Sequence, residues 1–215
     1  YKLGVFMTLF ATAFRLGIEP FFFTHAKEKN AKETYALITK YFSILGCIIF
    51  LFVMVYVDFF KELLIQDEAY WVALSVVPFI LLANLCLGIY HNLSVWYKVT
   101  DRTRFGAYIS VVGALITLGL NFVLIPIISY KGSAIATLAA YATMMCLSYY
   151  FGKKYYPVPY SVKKIGGYLL LAILFSGLSF YVFDRNLIIG TVLLLVFLII
   201  VVFSEKKEVA KILKM

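Results

Sequence analysis

The stretch LIIGTVLLLVFLIIVVF, residues 187–203, decides the fold class because its seventeen residues include no charged side chain. As an α-helix it would be about 25 Å long, close to the roughly 30 Å hydrocarbon core of a bilayer. Lipid offers no water to unpaired backbone groups, so a spanning segment must be a helix or part of a closed barrel. Barrel strands are about ten residues long and alternate in polarity. The stretch is seventeen residues long and does not alternate in polarity. It therefore predicts a transmembrane helix.

Six further apolar runs of similar length precede this one, so the sequence predicts an all-α, polytopic membrane helix bundle with seven spans. The composition agrees, with 63% hydrophobic and 14% charged residues, whereas soluble domains average about 45–50% and about 25%. From span 1 to span 7, the predicted ranges are Tyr1 to Thr24, Thr34 to Val57, Trp71 to Tyr97, Arg104 to Ile128, Gly132 to Phe151, Ile165 to Phe183 and Leu187 to Phe203.

The basic residues orient the predicted bundle. Loops on one side of the membrane carry 15 Lys and Arg residues, and loops on the other side carry 3. Positive residues stay on the cytoplasmic side, so we expect a cytoplasmic C-terminus and a first span that begins outside. Because the net charge of +9 is distributed over short loops, it argues against nucleic acid as a partner.

The polar pattern predicts which spans face an interior. Spans 1, 3, 4 and 5 carry small or polar residues at helical spacing, which either line an interior or serve close helix packing. Span 7 is almost purely apolar, and span 6 has no strong polar stripe. We therefore predict five lobe spans in residues 1–151, a cytoplasmic loop in 152–163, two peripheral lipid-facing spans in 164–203 and a cytoplasmic tail in 204–215.

Span 1 contains the residues that stand out most. Arg15 and Glu19 lie one helical turn apart, in line with Thr12, and can pair with each other. A charge at the centre of a span costs at least about 2.5–3.5 kcal/mol and tends to face a bundle interior or a wet cavity. Two interpretations remain open. Either Arg15 extends to the inner interface and Glu19 neutralises it, or Arg15 offers a cavity a forked cation for phosphate.

Three further polar residues extend the candidate set. Asn84 and His91 lie in span 3, and Asn121 lies in span 4. His91 is either a titrating or ligand-binding group or a satisfied interfacial histidine. The predicted substrate-binding or ion-coupling residues are thus Arg15, Glu19, Thr12, Asn84, His91 and Asn121.

Nothing in the sequence predicts an enzyme. No HExxH, GxSxG or P-loop motif is present. Cys47, Cys86 and Cys146 lie inside apolar runs without a CxxC or Cys/His metal spacing. The sequence therefore implies no catalytic residue, metal or cofactor.

Two long strings resemble a known family. YKLGVFMTLFATAFRLGIEPFFFTHA (residues 1–26) and ANLCLGIYHNLSVWYKVTDRTRFGAYISVVGALITLGLNFVLIPIISYKGSAIATLAAY (residues 83–141) resemble the C-terminal half of polysaccharide-biosynthesis flippases. These flippases belong to the multidrug/oligosaccharidyl-lipid/polysaccharide exporter superfamily. Its members typically have about twelve to fourteen helices in two lobes. The chain begins inside an apolar run without an initiator Met, so we expect a preceding N-terminal half.

The resemblance implies a flippase for undecaprenyl pyrophosphate-linked oligosaccharide that works by alternating access in the bacterial inner membrane. It implies three kinds of partner besides membrane lipids: the lipid-linked oligosaccharide, the N-terminal half of the chain and the polysaccharide assembly machinery. Arg15 would contact phosphate or sugar, and Glu19 would adjust Arg15 or couple transport to an ion. The alternatives are a drug/cation antiporter of the same superfamily, a membrane glycosyltransferase or polymerase, and a purely structural membrane subunit.

Overall fold

The structure, a computed structural model, describes residues 2–65 and 67–212. Tyr1, in predicted span 1, and Lys214, among the predicted tail charges, lie outside the described residues. Nine α-helices and no strand occur in those two ranges. The α-helices are α1 (Val5–Thr24), α2 (Ala31–Val55), α3 (Val57–Leu64), α4 (Val77–Leu93), α5 (Val95–Val99), α6 (Arg104–Ile128), α7 (Tyr130–Tyr155), α8 (Val162–Gly177) and α9 (Leu187–Ile212). Lys2–Gly4 and Glu68–Val76 are 3-10 helices, and Leu178–Val182 is a π-helical turn.

The predicted all-α membrane bundle is confirmed. Seven helical segments in the described residues are long and apolar enough to cross a membrane. The basic loops meet at one end of the bundle: the Lys32 ammonium lies 4.5 Å from the centre of the Tyr156 ring, and the Arg102 guanidinium lies 4.9 Å from that of Tyr155. We call this end, with residues 25–30, 100–103 and 156–161, the basic end.

Span 3 is present as one helical segment, Tyr70–Val99, but it is not α-helical throughout. It begins as the 3-10 segment Glu68–Val76 and continues as α4, with Pro78 in the first turn, and then as α5; Ser94, a local irregularity between α4 and α5, keeps right-handed helical φ and ψ. The Ser94 hydroxyl donates a 2.6 Å hydrogen bond to the carbonyl of His91. Such local side-chain bonds compete with the hydrogen bonding of the helix itself.

The segment between spans 2 and 3 contains the short helix α3. Asp58 lies in its first turn. Its carboxylate Oδ1 lies 2.7 Å from the Lys61 ammonium and 3.2 Å from the guanidinium of Arg185, which follows the π-helical turn. The second of these contacts joins the segment to residues that follow span 6.

The central helix of the bundle is α2. It packs against α1, α4, α8 and α9. In the most apolar 18 residues of α2, 67% of the stretch is buried, compared with 6% in the corresponding stretch of α6. α4 packs on α7, and α7 packs on α6, so α6 lies at one edge of the bundle. α8 and α9 both pack against α2. Spans 1 and 4 expose most of their surface, so the described residues alone do not enclose the interior that their polar stripes predict.

The core between α2 and its neighbours is closely packed. Phe42 and Leu51 of α2, Leu81 and Leu85 of α4, and Phe197 of α9 are each at most 1% exposed. Small residues let the backbones approach. A Cβ on Gly88 of α4 would lie 2.5 Å from the ring of Phe42 and 3.2 Å from the Cβ of Ala11. These contacts hold α1, α2 and α4 in a fixed arrangement.

The turn between α6 and α7 gives the first testable prediction. Ser129 has a positive φ of 53°, and α7 returns so close to α6 that a Cβ on Gly132 would lie 2.7 Å from the carbonyl carbon of Leu124. A backbone atom cannot rotate away, so Gly132→Ala should lower the free energy of unfolding by about 1–3 kcal/mol. Gly119→Ala is the matched control, since no atom lies within 4 Å of its Cβ position. Thermal unfolding in detergent measures both, and equal stability of the two variants would contradict the close approach.

Candidate functional site

Five of the six predicted site residues lie along one groove between α1 and α4. Two small cavities, of about 40 and 10 Å³, mark its course. The first is lined by Thr12, Arg15, Asn84 and His91 among others, and the second by Arg15, Glu19, His91 and Lys98 among others. We call the region lined by Thr12, Arg15, Glu19, Asn84, His91 and Lys98 the α1–α4 groove.

Helical spacing on both sides produces the groove. Thr12, Arg15 and Glu19 follow one another at steps of three and four on α1. The facing side continues from Asn84 and His91 on α4 to Lys98 on α5, at steps of seven. Steps of three, four and seven residues each return a side chain to the same face of a helix. The polar stripes of two neighbouring helices therefore face each other.

Glu19 forms an ion pair across the groove. The ammonium of Lys98 lies 2.5 Å from Oε1 of Glu19. The side chain of Lys98 is 26% exposed and that of Glu19 is 34% exposed. The spacing on α1 predicted that Glu19 could pair with Arg15, one turn earlier. In the structure Glu19 pairs with Lys98 instead. We had assigned Lys98 only to the positive charges of a loop, so sequence reasoning missed it. Its register with His91 on the same helical face was the available signal.

Arg15 is the cation of the groove without a partner in residues 2–65 and 67–212. Arg15 is half-buried and lines both cavities, and it forms no ion pair or hydrogen bond with the described residues. Arg15 and Lys98 bring two positive charges to the groove, and Glu19 brings one negative charge. The groove therefore carries a net positive charge, with His91 beside it.

The other predicted residues differ in their surroundings. Thr12 is exposed, and His91 is half-buried. The Asn84 amide nitrogen lies 3.4 Å from the carbonyl of Gly4, at the end of the groove farther from the basic end. Asn121 lies apart on α6; its Oδ1 is buried without a partner in the described residues, and it lines neither cavity. The structure thus groups five of the six candidates and leaves Asn121 out.

A second set of charged side chains lies on the far side of α2, near the basic end. Lys40 of α2 is 2% exposed, and its ammonium lies 2.5 Å from Oε2 of Glu205 on α9. Oε1 of Glu205 accepts hydrogen bonds from Lys164, at 3.0 Å, and Tyr168, at 2.8 Å, both on α8. Glu208 contacts both lysines. We call Lys40, Lys164, Tyr168, Glu205 and Glu208 the charge cluster.

The sequence analysis did not find the charge cluster. We had placed Lys40 and Lys164 among the topology charges and interpreted the residues beyond Ser204 as a short, charged, frayed helix; α9 continues to Ile212. Glu205 and Glu208, one turn apart at the end of an apolar span, were the available signal. The ammonium groups of Lys40 and Lys164 donate hydrogen bonds to Glu208 and hold its pKa below the ordinary value. Glu208 is therefore ionised at neutral pH, as the pairing requires.

A seven-span bundle with a net-positive polar groove between two of its helices has the architecture of a polytopic membrane transporter. The family model described as MatE matches residues 3–123, more than half of the chain. The chain belongs to the MatE family, whose members are exporters and not enzymes. All six predicted site residues and Lys98 lie inside the matched range. The resemblance to the wider exporter superfamily is thereby confirmed.

No curated protein and no solved structure matches the chain.

Proposed function

We propose that this chain belongs to a flippase that moves a lipid-linked oligosaccharide across the bacterial cytoplasmic membrane for the synthesis of surface polysaccharide or lipopolysaccharide. The substrate class is an oligosaccharide joined through a diphosphate to a long isoprenoid such as undecaprenol. The observation that carries the proposal is the sign of the charge in the α1–α4 groove.

The charge of the groove suits an anion. Arg15 presents a planar fork of donors that matches phosphate oxygens, and it has no internal partner in the described part of the chain. Glu19 is the carboxylate of the groove, and Lys98 neutralises it at 2.5 Å. An organic cation would meet the positive charges of Arg15 and Lys98 in this groove, where the carboxylate of Glu19 is already paired.

The surface beside the groove suits a lipid tail. Leu9 and Leu16 of α1 are 62% and 65% exposed and lie on either side of the groove residue Thr12 along the helix. At the edge of the bundle, Phe122 of α6 is 89% exposed. A lipid-linked sugar requires both features together, since its headgroup needs a polar path while its tail remains in the hydrocarbon.

The orientation of the bundle supports a direction of transport. We place the basic end in the cytoplasm, following the tendency of Lys and Arg to stay there. Glu19 and Lys98 then lie near the cytoplasmic side, where the lipid-linked precursor is made, and Asn84 lies farther outward. Alternating access between this lobe and a second lobe would release the sugar on the outside.

Proteoliposomes containing the protein as the cell makes it test the proposal. We expect them to translocate a fluorescent lipid diphosphate oligosaccharide, measured by its accessibility to a glycosidase outside the vesicles. Empty vesicles are the control. Export of cationic dyes, with no translocation of the glycolipid, would favour the drug/cation antiporter of the same family and contradict the proposal.

A further inference from the structure

The ion pair between Glu19 and Lys98 differs from the charge cluster in a way that indicates its role. Glu205 in the cluster is 3% exposed and receives three hydrogen bonds from side chains of α2 and α8. Glu19 is 34% exposed and has one partner in the described residues, Lys98. A partly exposed pair of this kind is weak and can be exchanged for another partner.

The place of the pair is equally specific. Glu19 lies one turn from Arg15 on α1, and both side chains line the same cavity as Lys98 and His91. That cavity has a volume of about 10 Å³, room for about one water molecule. The cations Arg15 and Lys98 thus line one small cavity together with the carboxylate of Glu19.

A diphosphate ester needs more than Arg15. It carries negative charge on both phosphorus centres, and one guanidinium can neutralise only part of it. Lys98 would supply the second cation, since an ammonium binds phosphate as a point charge. Lys98 lies on α5, at the end of span 3, and Asp101, whose φ is 55°, follows three residues later.

We propose that Lys98 is a second anion-binding residue of the groove, and that the Glu19 carboxylate holds its ammonium until the diphosphate of the substrate takes that place. This inference rests on the proposed function and names the part of the substrate that Lys98 binds. When the diphosphate enters, the Glu19–Lys98 contact breaks and Lys98 and Arg15 together receive the anion. No covalent bond changes.

The proposal predicts that removing the charge of Glu19 strengthens ligand binding. A carboxylate that competes with the ligand should weaken binding, so Glu19→Gln should tighten it by about two- to fivefold, the range expected for a partly exposed pair. Lys98→Met should weaken binding by about ten- to a hundredfold, as for the loss of a hydrogen bond to a charged group. Lys98→Arg should retain most of the binding.

The experiment measures the dissociation constant of farnesyl diphosphate for the purified protein in nanodiscs, with inorganic pyrophosphate as a second probe. Glu28→Gln and Lys29→Met, on exposed residues of the basic end, are the matched controls and should change nothing. In the Lys98→Met background the gain from Glu19→Gln should disappear. Equal binding of both probes would identify the diphosphate alone as the ligand, and preference for farnesyl diphosphate would add the lipid.

The possible failures are distinguishable. If the wild type binds farnesyl diphosphate and Glu19→Gln weakens the binding or leaves it unchanged, the exchange of partners is wrong and the flippase proposal stands. If Lys98→Met binds as well as the wild type, Lys98 is not an anion-binding residue. If the wild type binds neither probe, both proposals fall.

Discussion

Glu205→Ala is expected to lower the free energy of unfolding by about 3 kcal/mol, because it removes the buried one of the two carboxylates that pair with the buried ammonium of Lys40. Lys40 is 2% exposed and Glu205 is 3% exposed, so the contact that is lost is a buried one. The remaining anion of the charge cluster is Glu208, whose side chain is 43% exposed. The change should also loosen α8 and α9 from α2, since Lys164 and Tyr168 both bind Glu205.

Unfolding of the protein in detergent measures this loss, and Glu208→Ala is the matched control. It removes a carboxylate one turn away that contacts the same lysines but lies closer to solvent, so its effect should be much smaller. Equal losses for Glu205→Ala and Glu208→Ala would mean that burial of Glu205 does not determine the energetics of the cluster.

Arg15→Ala is expected to reduce transport of the lipid-linked oligosaccharide by at least about tenfold, because it removes the unpaired forked cation of the groove. Arg15→Lys should retain an intermediate rate, since it keeps the charge and loses the two-pronged geometry. The unfolding temperature should change little, because Arg15 forms no ion pair with the described residues.

Arg104→Ala is the matched control for Arg15→Ala. Arg104 is exposed at the start of α6, outside the groove, so transport should stay at the wild-type rate. If Arg15→Ala also transports normally, Arg15 only extends to the membrane interface, and the groove does not use it for phosphate.

The fold class was predictable from the sequence because apolar length in a membrane protein is a local property. Residues 187–203 suffice to predict a span, and all seven predicted spans are present in the structure. The 3-10 geometry of Glu68–Val76, at the start of span 3, was not predictable in the same way. Hydropathy reports the apolar length of a span and not the pattern of its backbone hydrogen bonds.

The candidate site was predictable in part, for a related reason. The stripe of Thr12, Arg15 and Glu19 follows from spacing on one helix, and a charge inside a span draws attention by its cost. Lys98 lies near a loop, where positive charge has an ordinary explanation, and only the contact with Glu19 separates it from its neighbours. The pairing of Lys40 with Glu205 joins residues 165 positions apart, which no local pattern reports.

The measurement that tests the central claim most directly uses cells that lack this protein. The flippase proposal predicts that undecaprenyl-linked oligosaccharide accumulates on the cytoplasmic face of the membrane while surface polysaccharide disappears, and that the wild-type gene restores both, whereas Arg15→Ala does not. Normal surface polysaccharide in these cells, with an altered sensitivity to cationic drugs, would contradict the proposal and favour the antiporter.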